Sequence, residues 1–270
     1  GGDFYWVDGG SDEYGHNVAE LPNATADSII ADNLPPGFDS TVGAGIGSSW
    51  SGNQLSCAGT YGCHGTHSAG DKWAAMKGAH HNNSSGTILA GASSTGESYR
   101  FLDGIAGIED SDWQWTESAS DHNDYKGTDD ATDRQFDIGT TDYAASAAAG
   151  TISYLCAQCH GAFHAKAADD SVYAAGDPWR RHPTDIALPS NAGSEYSAYD
   201  NYSVEAPIGR PDLTTIPDNS LVVEGTDIVL CLSCHRAHGS DQPDLLRWDY
   251  STQIAGDSLS GGCFTCHTTK

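Results

Sequence analysis

Methionine is almost missing from this chain: Met76 is the only one. Basic residues are scarce, with 12 Lys and Arg against 37 Asp and Glu, for a net charge of −25. Nucleic acid and anionic membrane surfaces both repel so acidic a protein and are excluded as partners. No apolar run approaches the ~20 residues of a membrane-spanning helix, so no membrane insertion is expected. No repeat of fixed period is present. Only 38% of the 270 residues are hydrophobic, and 32 are glycine, which leaves too little apolar mass for an ordinary core. The sequence starts Gly1-Gly2-Asp3 rather than with Met, so the expectation is that a signal peptide has been removed.

Cysteine is present, and its placement organises the chain. Cys231-Leu-Ser-Cys234-His235 sets two thiols two residues apart with a histidine directly after them. This is the c-type haem attachment pattern. The thiols add to the two vinyl groups on one edge of a haem, and the histidine beside them binds the iron. Cys156-Ala-Gln-Cys159-His160 and Cys263-Phe-Thr-Cys266-His267 repeat it. Cys57-Ala-Gly-Thr-Tyr-Gly-Cys63-His64 is a longer version, with five residues between its cysteines. Gly59 and Gly62 give that loop the freedom to bulge and still present both sulfurs. The four motifs use all eight cysteines, so four covalently attached haems c are expected. A disulfide framework does not demand a histidine after every second cysteine, and four-cysteine zinc sites have no use for those histidines. A Cys57–Cys63 disulfide is the alternative for the long motif alone.

Iron needs a second axial ligand. Of 12 histidines, His64, His160, His235 and His267 belong to the motifs. Eight remain: His16, His67, His80, His81, His122, His164, His182 and His238. With one methionine, at most one haem could be His/Met, so bis-histidine, low-spin, low-potential haems are the economical reading. The preferred distal ligands are His182, His238, His164 and His16, with His81 and then His80 in reserve. His238 and His164 lie just past a motif, where they reach a neighbouring haem rather than their own. Pro183 holds His182 on a stiff loop. Which histidine faces which haem is not readable from the sequence.

The stretches between motifs are rich in Gly, Ser, Asp and Pro. They predict a mostly irregular fold with short α-helices and little β, organised around a stacked haem chain. Residues 1–270 are expected to form a single unit, with 1–56 as an N-terminal arm leading to the first motif. Helices are expected at 71–78 and 144–149, and short strands at 99–103 and 105–109. The acidic pairs Asp129-Asp130 and Asp169-Asp170 read as solvated loops. Asn23, Asn82, Asn83 and Asn201 match the glycosylation pattern, as chance alone allows in so Asn- and Ser-rich a chain.

The four motifs, the five-residue spacing, and the stretches Gly15-His-Asn-Val18, Trp179-Arg-Arg-His-Pro-Thr-Asp185 and Cys231-Leu-Ser-Cys-His-Arg-Ala-His238 resemble the tetrahaem extracellular cytochromes that polymerise into nanowires, of the OmcE type of metal-reducing Geobacter. The resemblance runs from Gly15 to His267. It implies a mostly irregular fold, bis-histidine haems in a continuous stack, and one haem completed by a histidine of the neighbouring subunit. The implied role is long-range electron transfer to extracellular acceptors. About 67 residues per haem leave much protein to build interfaces, which favours a filament subunit over a discrete periplasmic shuttle. No motif has lysine in place of its histidine, so an enzymatic haem is disfavoured and no catalytic residue is expected. The expected partners are further copies of the chain and external redox acceptors, and the expected location is extracellular. His267 lies at the C-terminus and His16 on an arm that looks free to reach outward. His16 is therefore the expected inter-subunit ligand, with His81 next, in a head-to-tail contact that propagates without closing.

Overall fold

Among the residues that the computed structural model describes (2–9, 12–22, 34–38, 50, 52–76, 99–110, 116–129, 150–160, 182, 184–191, 193–216, 218–256 and 260–270), no helix exceeds six residues. The α-helices are α1 (Tyr5–Asp8), α2 (Lys72–Ala75), α3 (Ile152–Ala157), α4 (Cys231–Cys234) and α5 (Cys263–Cys266). Helices this short do not stand alone in water and need tertiary support. Two are started by their own sequence. The Asp71 carboxylate accepts from Ala74 N at 2.8 Å, and the Thr151 hydroxyl accepts from Tyr154 N at 3.0 Å. Each satisfies a backbone donor that the first turn leaves open. Helix α2 ends where Met76 turns extended, earlier than the pattern over 71–78 suggests. The helix expected at 144–149 lies outside the described residues.

The strands are two or three residues long. β1 (Ser56–Ala58) and β2 (Gly62–His64) pair in parallel. A five-stranded sheet has the order β3 (Gly107–Ile108), β4 (Asp124–Lys126), β6 (Gly209–Arg210), β7 (Ile228–Val229), β5 (Ile186–Ala187). β4 and β6 are parallel and the other neighbours antiparallel. The strand expected at 105–109 forms only at its centre. The one expected at 99–103 is a turn instead, because Arg100 and Phe101 adopt φ of 53° and 58°, which breaks an extended run.

Side chains alternate across β7 as the pleat requires. Ile228 packs with Tyr99, Tyr125, Ile152, Leu230 and Leu232, while Val229 packs with Leu188, Tyr199, Tyr202 and Ile208. Cys156 lies against the first cluster and Cys266 against the second. The sheet thus carries a small apolar core on each side, and each core backs one haem motif. A buried charge seam locks the strands together. Arg210 pairs with Asp227 and lies 3.5 Å from Asp124, and it donates to the carbonyls of Asn219 and Leu221. No described helix is long and apolar enough to cross a membrane.

The arm formed by the first residues is stitched to the segment after the third motif. Asp3 N donates to Gly239 O, His16 N to His238 O and Ser240 N to Tyr14 O, all at 3.0 Å. Phe4 stacks on the His238 ring at 4.4 Å.

Candidate haem sites

The eight cysteines are all half-buried and none is in a disulfide, so the Cys57–Cys63 bridge is not formed. At site one the long motif folds back on itself. Pairing of Ser56 with Gly62 and of Ala58 with His64 sets Cys57 beside Cys63. Ser56 N donates to Tyr61 O at 2.9 Å and Gly62 N to Gly59 O at 3.1 Å. Gly59 has φ of 89°, and a β-carbon on Gly62 would collide with the Ala58 backbone. Only glycine suits both places. Glu20 clamps the start of the loop. Its carboxylate accepts from the Ser56 hydroxyl at 2.8 Å and from Cys57 N at 3.0 Å, and it pairs with Lys72. Burial acts to raise the Glu20 pKa, yet these donors outweigh it and hold the carboxyl at about 2. Burial, then the Glu20 charge, pushes the Cys57 thiol to about 11.

Sites two to four share one local design. Cys156 lies in α3, and α4 and α5 run from first to second cysteine of their motifs. The motif histidine N–H closes back on the first cysteine carbonyl at 2.9 to 3.0 Å in all three. Site three is braced by Ser233, whose hydroxyl accepts from Leu230 N at 2.9 Å and donates to Pro207 O. Site four is braced by side chains from elsewhere: Glu205 accepts from Gly262 N at 3.1 Å and Gln253 from Cys263 N at 2.9 Å.

The histidine rings decide whether these sites suit iron. Two imidazoles on one metal stand about 2 Å from it each, which puts their ring centres roughly 6 Å apart. His64 and His238 are 6.1 Å apart, His160 and His16 6.2 Å, and His267 and His182 5.9 Å. The Nδ1 atoms are held as such ligands require. His64 Nδ1 lies 2.9 Å from Arg100 O, His160 Nδ1 2.6 Å from Pro36 O, His235 Nδ1 2.8 Å from Asp244 O and His16 Nδ1 2.7 Å from Ala237 O. A carbonyl only accepts, so Nδ1 carries the hydrogen and Nε2 keeps its lone pair for a metal. Burial lowers the pKa of His16 and His64 and takes His238 to about 4. All three are kept in the neutral form that binds metal. The residues present fit haem.

The sites also adjoin one another. Cys63 acts electrostatically on Cys156 and Cys159, the Cys231 side chain touches Cys156 and is the main cause of its raised pKa, and Cys263 and Cys266 act on Cys234. The anchors therefore follow each other in chain order. One segment ties three of them together: His235 belongs to site three, His238 faces site one, and the Ala237 carbonyl holds the His16 ring that faces site two.

Of the distal candidates, His16, His182 and His238 each face a motif histidine, and His164 lies outside the described residues, as do His80 and His81. His16 is not free to reach outward. Its ring and backbone are both bonded to the 237–238 segment, so the expectation of an inter-subunit role for it is corrected. His122 is buried, stacks on Tyr202 at 3.5 Å, and has carbonyls at both ring nitrogens, which leaves no nitrogen for iron. His67 faces no motif histidine among the described residues. Glu20, Glu195 and Arg247 support the sites and carry no motif that sequence reasoning could have used.

A family model described as a doubled CXXCH motif matches residues 221–270, the stretch with sites three and four. No curated protein matches the chain. Among solved structures, the outer membrane cytochrome S filament from Geobacter sulfurreducens is similar, at a TM-score of 0.42 and 18% identity, over 88% of this chain and 59% of that one. The chain thus spans less than two thirds of that cytochrome's length. The matched stretch carries two CXXCH motifs, the pattern through which haem c is attached covalently.

Proposed function

We propose that the chain conducts electrons through four bis-histidine haems c and polymerises head to tail into an extracellular filament. The observation that carries this reading is the set of three opposed histidine pairs, His64/His238, His160/His16 and His267/His182, each at the separation of two ligands on one iron. Iron saturated in this way has no coordination position for a substrate, which favours electron transfer over catalysis. The contiguous thiols support a single path in the order one, two, three, four through one unit of 270 residues. Haem supplies the redox centre. The protein fixes its spacing and keeps His16, His64 and His238 in the neutral form that binds metal.

Site three supports the filament. His235 is exposed, unlike the other motif histidines, and no histidine ring faces it among the described residues. On this reading its second ligand is a histidine supplied by a neighbouring copy. An iron–imidazole bond across the joint makes it strong and keeps the haem path continuous between copies. The test is intact mass and electron microscopy of purified protein. The reading predicts four haem masses on the 28.3 kDa chain and long fibres. Three haems would remove site one, and monomers of full haem load would remove the filament. Single alanine variants of His164, His81 and His80 then identify the joint: one of them gives one high-spin haem per chain and no fibres.

A further inference from the structure

Sites three and four are neighbours, yet opposite charges support their motif histidines. At sites one, two and three the group at the motif Nδ1 is a neutral backbone carbonyl. At site four it is a carboxylate, with Glu195 Oε2 3.3 Å from His267 Nδ1. This carboxylate is built in. Thr268 N and its hydroxyl both donate to the Glu195 carbonyl at 2.6 Å, which ties Glu195 to the residue after His267. The Tyr196 ring closes over His267 at 5.1 Å. Lys270 Nζ lies 3.3 Å from the same Oε2.

Site three has the reverse charge. Arg247 Nε lies 2.7 Å from Leu232 O and 3.2 Å from His235 O, and Nη1 lies 3.1 Å from Val204 O. The carbonyls of Leu232 and His235 belong to α4 and its C-cap, so the guanidinium caps that helix at the motif histidine itself and ties it to Val204. No carboxylate among the described residues pairs with it.

We propose that Glu195 is a positioning residue that lowers the potential of the iron at site four, while Arg247 raises that of site three, so that adjacent sites differ by a built-in step. This rests on the reading of His267 and His182 as iron ligands. A carboxylate set close to the far nitrogen of an imidazole increases the donor strength of the near one, and a stronger donor favours ferric iron. The bare charges act in the same sense. Ferric haem carries one positive charge more than ferrous, so an anion beside it stabilises the oxidised form and a cation the reduced form. Lys270 offsets part of the Glu195 charge, but it is 57% exposed and screened by solvent.

The experiment is a redox titration of the haem-loaded full chain, with electron paramagnetic resonance of the oxidised protein. Glu195→Gln should raise the lowest of the four midpoint potentials and change the g-values of one low-spin signal. Glu195→Asp should retain part of the wild-type value, since it restores a carboxylate. Lys270→Gln should move the same potential downward and covers the case in which Glu195→Gln loses haem. Unchanged potentials in Lys270→Gln, or in Glu195→Gln with four haems retained, would overturn the proposal. Failure of the ligand reading looks different: wild-type protein itself would show a high-spin haem or fewer than four haem masses.

Discussion

Glu20→Gln is a sharp probe of how site one is held. The wild-type carboxylate is fixed by the Ser56 hydroxyl, Cys57 N and Lys72. Taking a carboxyl from 4.5 to about 2 sets a ceiling of about 3.4 kcal/mol, at about 1.36 kcal/mol per tenfold change in proton affinity. The pair is partly open to solvent, with Lys72 45% and Glu20 31% exposed. Screening reduces the contribution to about 1 kcal/mol. The sign follows from linkage. The folded carboxyl holds its proton less tightly than the unfolded one, so the stabilisation is complete above about pH 4.5 and disappears as pH falls toward 2. The assay is urea unfolding followed by tryptophan fluorescence, which bound haem quenches, in wild type and Glu20→Gln at several pH values. Other carboxylates titrate in both proteins and cancel in the difference. The gap should be about 1 kcal/mol at pH 6 and close to zero at pH 2. A gap that stays constant over that range, or none at pH 6, would refute the role of the Glu20 charge.

Three further outcomes are expected. His238→Ala and His182→Ala should each yield one high-spin haem per chain that binds carbon monoxide when reduced, at sites one and four respectively; a fully low-spin spectrum would contradict the pairing. His122→Asn should leave all haems low-spin and instead destabilise the fold by about 1–3 kcal/mol, because it unseats a buried hydrogen-bonded ring, which paired denaturation and visible spectra will show. Gly62→Val should lower haem loading at site one, since its side chain meets the Ala58 backbone; intact mass should show a population with one haem fewer, and full loading would mean that the loop tolerates a different path.

The haem chemistry was legible because it is local. Five consecutive residues set two thiols and a ligand on one rigid ring, and the spacing survives any surrounding fold. The shortage of apolar residues and the abundance of glycine likewise foretold short elements. The pairing of histidines was not legible, since His16 meets His160 across 144 positions through backbone bonds to the 237–239 segment that leave no mark on side-chain identity. Such bonds also explain why the arm looked free: Gly2, Gly15 and Gly239 carry no pattern, yet they let the strands of that junction approach closely. The turn at Arg100 and Phe101 was read as strand because both residues suit one, and the tertiary position of the Arg100 carbonyl, which holds His64, decides otherwise. Glu195 and Arg247 are ordinary surface types whose effect depends on where the third and fourth motifs come to rest.

The most direct measurement is an electron-microscopy map of the haem-loaded assembly, resolved well enough to place each iron and its two axial rings. The account predicts four irons in the order of the motifs, with His238 on the haem of Cys57 and Cys63, His16 on that of Cys156 and Cys159, and His182 on that of Cys263 and Cys266, all from the same copy. A map in which His16 binds a haem of another copy, or in which His238 binds the haem of its own motif, would contradict it.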